Sequence, residues 1–185
     1  MNNQDLSIFL MSHVSRIIFF GTPAFSLPAL EALVKAGYPP DLVVTNPDEP
    51  KGRKQILTPP PVKLYAERHG IDVFQPIHLL HEIQNIPDAD LFIIVAFGTI
   101  IPQELLKKPR RGALNIHPSL LPRWRGPSPI QSAILNGDSQ TGVTLMQVDE
   151  LMDHGPIIGQ KSFSLKEKKW TSPELYDALA GIGAE

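Results

Sequence analysis

Apolar runs of strand length alternate along this sequence with segments whose apolar residues recur every three or four positions, and that alternation leaves few folds open. Residues 16–20 (RIIFF) stop at Gly21-Thr22-Pro23. After them Leu27, Leu30, Leu33 and Val34 mark an amphipathic helix closed by Gly37. Residues 42–45 (LVVT) predict the next strand, and residues 62–69 a helix ended by Gly70. A short strand follows at Val73-Phe74, and residues 91–96 (LFIIVA) are apolar throughout, as a central parallel strand would be. Residues 113–117 (ALNIH) predict another strand, residues 129–135 a helix, and residues 141–148 and 156–163 the last two strands. The order β-α-β-α-β predicts an α/β, Rossmann-like fold: an open, mostly parallel sheet with helices on both faces. Ligands of such sheets bind beyond the carboxyl ends of the strands. The proline-rich segment 46–61 breaks the pattern and predicts a long loop.

Several function classes fall away on composition. The chain has no cysteine, so disulfides, thiolate metal sites and cysteine nucleophiles are excluded. His78 and His81 stand three apart without a third ligand nearby, and no metal is expected. No apolar run approaches the ~20 residues that span a bilayer, and residues 1–16 lack a signal-peptide pattern, so no membrane partner and a cytoplasmic location are expected. Gly21 follows the first strand, but the G-x-G-x-x-G phosphate loop is absent and prolines stand at 23 and 28, which argues against a dinucleotide. The net charge of −2 advertises no nucleic acid. Residues 51–63 and 107–125 are nevertheless basic and free of acids, a pattern that on charge alone fits two solvated loops.

The length of 185 residues suits one domain. Residues 1–15 precede the first strand and are expected to be a disordered N-terminal extension, with Met11 as an alternative start. Thr171-Ser172-Pro173-Glu174 is a capping box, and its helix runs through Leu175, Leu179 and Ile182 to within three residues of the end. We therefore expect a domain over residues 16–185, cut from a longer protein.

Two stretches carry chemistry. Asn115 and His117 alternate on one strand, so both side chains share a face at its carboxyl end. An amide donor beside an imidazole suits an oxyanion on a carbonyl under attack, though the spacing equally fits a strand ending in polar turn residues. Residues 148–156 then place Asp149, Glu150 and Asp153 in an acidic loop at the same sheet edge. A carboxylate there could favour the imidazolium and accept the proton of an attacking amine.

With GTPAFSLPALEAL at 21–33, the basic loop 44–63, NIHPSLLPRWRG at 115–126 and the acidic loop before Gly155, the sequence resembles the N-terminal catalytic domain of the methionyl-tRNA formyltransferases, within the wider folate-dependent formyltransferase family. The resemblance covers nearly everything from residue 16 onward. It implies transfer of a formyl group from 10-formyltetrahydrofolate to the α-amino group of methionyl-tRNA, without a metal or covalent intermediate. It places the family's catalytic asparagine, histidine and aspartate on Asn115, His117 and Asp153. It assigns folate contact to Ser119, Leu120, Leu121 and Pro122, to Phe97, Gly98, Ile100 and Ile101, and to Val148, Glu150 and Met152. It assigns tRNA contact to Lys51, Arg53 and Lys54. Complete members continue into a C-terminal barrel, which residues 16–185 do not contain. The competing expectations are the same chemistry on an amino sugar nucleotide, or a folate-binding domain without turnover.

Overall fold

The computed structural model describes residues 14–185. Most of the expected extension over residues 1–15 therefore lies outside the described residues. Of its last two members, Val14 packs against the core, and Ser15 donates its amide and hydroxyl to Asp90 at 2.9 and 2.8 Å.

In chain order the strands are β1 (Ile17–Gly21), β2 (Leu42–Val44), β3 (Glu49–Lys51), β4 (Ile56–Thr58), β5 (Asp72–Phe74), β6 (Leu91–Val95), β7 (Ala113–His117), β8 (Gln140–Gln147) and β9 (Ile157–Ser164). The helices are α1 (Leu27–Lys35), α2 (Pro61–Arg68), α3 (Gln103–Leu106), α4 (Pro129–Leu135) and α5 (Ser172–Gly183). Seven strands form one sheet in the order β5-β2-β1-β6-β7-β8-β9. Its first five members run parallel, while β8 and β9 return antiparallel. The expected Rossmann-like, mostly parallel sheet is present.

Alternation along the central strands sorts their side chains into two cores. Ile17, Phe19, Val43, Leu91, Ile93, Val95 and Leu114 face the side covered by α1, α2, α4 and α5. Ile18, Phe20, Val44, Phe92, Ile94 and Ala113 face the other. Only short elements cover that second face: the 3-10 turns Leu79–His81 and Ile83–Asn85, and the one-turn α3 with Leu105. Helices thus lie on both faces, but unequally. Asn115 and His117 share the thin face with Ala113.

The helix boundaries follow their sequence signals. Beyond α1, the amides of Gly37 and Tyr38 donate back to Val34 and Leu33, closing the last turn. At α5 the Thr171–Glu174 capping box forms in both directions, and Leu175 and Leu179 are fully buried.

Segment 46–61 departs from expectation. It is not a structureless loop but holds the two-stranded hairpin β3-β4, with Gly52 and Gln55 at positive φ in the turn. Three-residue strands, one of them carrying Pro50, are too short to show a period of two. Among the described residues no helix is long and apolar enough to cross a membrane.

Candidate active site

Strand β7 delivers Asn115 and His117 to the carboxyl edge of the sheet, on its thinly covered face. Asp153 arrives from the loop after β8. Because β8 pairs antiparallel with β7, His117 standing against Thr144 and Leu114 against Gln147, β8 ends beside the start of β7 and not at the carboxyl edge expected for the acidic loop. The loop instead runs back over the thin face to bring Asp153 to Asn115 and His117. Gly155 makes that turn possible: a Cβ there would overlap the Gln147 carbonyl. The amide of Gln147 donates to the Pro156 carbonyl at 2.9 Å and that of Val148 to Ala113 at 2.8 Å, tying down both ends of the loop.

The three side chains meet at one oxygen. Asp153 Oδ1 lies 3.3 Å from Asn115 Nδ2 and 3.5 Å from His117 Nδ1. Asp153 Oδ2 accepts the Gly126 amide at 2.8 Å. His117 Nε2 lies 2.9 Å from the Trp124 carbonyl, which can only accept, so Nε2 carries a hydrogen and donates. Each ring nitrogen of His117 therefore faces an acceptor, an arrangement that an imidazolium fills with two donors. His117 is 5% exposed, so its ring is held in a largely desolvated place.

Backbone strain gathers here. Trp124 and Asp153 adopt positive φ of 60° and 49°. A non-glycine residue in that region costs on the order of 1–3 kcal/mol, which the surrounding contacts must offset. At Asp153 those contacts are with Asn115, His117 and Gly126. At Trp124 they come from Asp138, which accepts from Arg123, Trp124 and Asn136 at 2.6 to 3.0 Å. The Arg123 guanidinium, then the Trp124 and Asn136 donors, hold the Asp138 carboxyl well below the usual carboxylate range.

The residues expected at a folate site divide into two sets. Ser119, Leu121 and Phe97 are buried. The Ser119 hydroxyl donates to the Arg123 carbonyl at 2.6 Å, so it holds the loop shut. Leu120 and Ile101 are half-buried, with Val148 packed against the second core, while Pro122 and Gly98 are exposed. Ile100, in the loop after β6, and Met152, in the acidic loop, are exposed large apolar side chains, with Leu151 beside Met152. Glu150 accepts from Gln103 of α3, joining the acidic loop to the loop after β6. Asp149 instead pairs with His154 at 2.9 Å. That contact and the Leu151 amide hold its carboxyl below its ordinary value.

Lys51, Arg53 and Lys54 are exposed on the β3-β4 hairpin, with no ion pair among the described residues. Lys63, in the same basic stretch of sequence, is not part of that tip. It pairs with Asp48 at 2.8 Å and lowers that carboxyl. A cleft of about 300 Å³ opens between the hairpin and the turn after β1, lined by Thr22, Pro23, Pro47, Lys51 and Pro60. A larger one, about 400 Å³, lies at the opposite sheet edge around Arg16, Asp41, Asp90 and Arg110. Asn115, His117 and Asp153 line neither cleft. Among the described residues no group of three or more His, Cys, Asp or Glu is placed to hold a metal ion.

Sequence reasoning missed the Trp124 carbonyl, the Gly126 amide and Asp138. The first two are backbone groups, which no residue type announces. Asp138 stands just beyond α4, and only its partners distinguish it from an ordinary surface acid.

Comparison with known proteins bears on the family and the fold. The formyl transferase family model matches residues 15–184. The chain is 51% identical over 174 residues to a methionyl-tRNA formyltransferase of Halorhodospira halophila, and 49% identical to one of Methylococcus capsulatus. In each case the match covers 92% of this chain and 56% of the relative. The chain thus spans little more than half the length of those curated relatives. Among solved structures, a phosphoribosylglycinamide formyltransferase from Bacillus halodurans superposes with a TM-score of 0.71 at 24% identity, covering 92% of this chain and 90% of that one. A formyltetrahydrofolate deformylase from Pseudomonas syringae gives 0.74 at 19% identity, covering 94% of this chain and 58% of that one. At such identities the two structures speak for the fold alone.

Proposed function

This chain belongs to the formyl transferase family, and from that premise we propose that it transfers the formyl group of 10-formyltetrahydrofolate to the α-amino group of methionyl-tRNA. The observation that carries the reading is the meeting of Asn115, His117 and Asp153 around Asp153 Oδ1. The names of the similar curated proteins support the choice of acceptor.

The amine nitrogen attacks the formyl carbon, and a new C–N bond forms while the carbonyl electrons move onto oxygen. That oxyanion needs donors already in place. Of the contacts at the site, those to Asp153 Oδ1 are the long ones, at 3.3 and 3.5 Å, while the Trp124 and Gly126 contacts are 2.9 and 2.8 Å. A formyl oxygen arriving beside Asp153 would draw the Asn115 amide and the His117 Nδ1–H onto itself. The freed carboxylate then accepts the proton lost by the amine. Collapse restores the carbonyl, breaks the bond to N10 of the folate and returns a proton to that nitrogen. The exposed Ile100, Leu151 and Met152 supply apolar surface for a flat pterin, and the hairpin cations Lys51, Arg53 and Lys54 supply charge for the RNA. A reaction on methionyl-tRNA belongs with translation, and the compartment proposed for it is the cytoplasm.

The test is formylation of methionyl-tRNA by the chain with 10-formyltetrahydrofolate, run beside an amino sugar nucleotide as acceptor and a His117→Ala control. We expect product on the tRNA that the His117→Ala variant does not form. Formylation of the sugar nucleotide alone would reassign the acceptor, and folate binding without either product would make the chain a binding domain.

A further inference from the structure

We infer that Asp138 is a positioning residue for formyl transfer, acting through the loop from Leu120 to Gly126 that touches both His117 and Asp153. The inference rests on the reading that those two side chains act in the reaction.

Four donors converge on this carboxylate. Arg123 donates through Nη2 to Oδ1 at 2.6 Å and through Nε to Oδ2 at 3.0 Å, the two-point geometry that fixes a guanidinium in a plane. The Trp124 indole donates to Oδ2 at 2.6 Å, and Asn136 to Oδ1 at 2.7 Å. The Asp138 side chain is only 9% exposed. The Arg123 guanidinium lies 4.5 Å from the Trp124 ring centroid, so the two side chains are held by one another as well as by the acid.

What this clamp holds is a backbone that would not adopt its shape unaided. Trp124 sits in the left-handed region, and Gly126 follows with a φ of 96°. In that conformation the Trp124 carbonyl reaches His117 Nε2, and two residues on the Gly126 amide reaches Asp153 Oδ2. These are the two shorter contacts of the site and the ones a substrate would not displace. Asp138 thereby fixes the ring plane of the imidazole and one oxygen of the catalytic carboxylate without touching either group. A surface acid that merely capped α4 would have no reason to gather the side chains of Arg123 and Trp124 together.

The test compares wild type, Asp138→Asn and Trp124→Phe in the full chain, by kinetics, thermal melting and ¹⁵N NMR of the histidine rings. The His117 Nε2–H resonance should be slowly exchanging in wild type and shifted or lost in Asp138→Asn. In that variant kcat should fall on the order of 10–100-fold, because small misplacement of a catalytic group costs that much, while KM for the folate stays nearly unchanged. Trp124→Phe removes the indole donor and part of the ring that the Arg123 guanidinium faces, leaves the other three donors to Asp138 in place, and should move both readouts less, in the same direction. A folded Asp138→Asn with wild-type kcat and an unmoved resonance overturns the inference, as does a lowered melting temperature as its sole effect. Where Asp138→Asn does not fold, Trp124→Phe decides, and unchanged kcat with an unmoved resonance overturns it. Absence of formyl transfer by wild type would defeat the proposed function instead, and the resonance comparison would still show whether Asp138 sets the imidazole.

Discussion

At the scale of single residues, the site rests on a division between long and short contacts. Asn115 Nδ2 is 3.3 Å from its carboxylate partner, a weak bond that holds the amide nearby without committing it. Contacts of this kind commonly tighten only when the reacting group arrives. If Asn115 is an oxyanion donor, its worth is realised in the transition state, and Asn115→Ala should leave folate affinity nearly unchanged. Removing one such donor typically lowers kcat ~10²–10³-fold. Single-turnover formyl transfer in a quench-flow experiment measures this directly, and a variant that keeps the wild-type rate takes Asn115 out of the mechanism. The positions of Asn115 and His117 were legible in the sequence because a strand has a period of two and β7 ends at the carboxyl edge, where open parallel sheets generally bind ligands. That Asp153 joins them was not legible from spacing. It depends on β8 returning antiparallel and on Gly155 accepting close contact with the Gln147 carbonyl.

Among the elements, the long apolar strands and the capped helices stood where their patterns predicted them, since burial on both faces of β1 and β6 demands continuous apolar sequence. The 3-10 turns and α3 escaped notice because three or four residues cannot express a helical period. The hairpin β3-β4 escaped for the same reason, and its formation changes the argument about its cations. Pairing of Glu49–Lys51 with Ile56–Thr58 fixes the base of the projection, so Lys51, Arg53 and Lys54 stand out on a tethered tip. Such cations bind phosphates with a strong dependence on salt. A Lys51→Ala, Arg53→Ala, Lys54→Ala triple variant should lose tRNA affinity and flatten the slope of log K against log salt. The slope should change by roughly 0.9 for each phosphate that the variant no longer neutralises, by analogy with duplex DNA. Folate binding should hardly change. Filter binding at several salt concentrations reads both quantities, and an unaltered slope would leave the hairpin without a role in RNA binding.

For the molecule as a whole, the charge at Asp90 ties together segments far apart in sequence. Asp90, at the foot of β6, accepts the Ser15 amide and hydroxyl and the Arg16 amide across 74 to 75 residues, fastening the start of β1 to its neighbour. Those hydrogen bonds bring its carboxyl down to about 2. Glu174, held by Lys168 and then by the Thr171 cap, is likewise brought down to about 2. An unfolded chain protonates such carboxyls near their ordinary values of about 4. Unfolding below that pH therefore takes up protons, and stability must fall as the pH drops from about 4 towards 2. Above about pH 5 both contributions are complete, and stability should not vary with pH on their account. Asp90→Asn removes the charge while keeping an oxygen that can accept, so it isolates the titrating part. The variant should be less stable than wild type at pH 7, and the gap should narrow steadily between about pH 4 and about pH 2.5. Urea midpoints taken at intervals from neutral pH down to that lower limit read the gap with the fold still present at the start of each titration. A gap of constant size across the series would mean that Asp90 contributes through shape alone, and that the charge at the foot of the sheet is not coupled to folding.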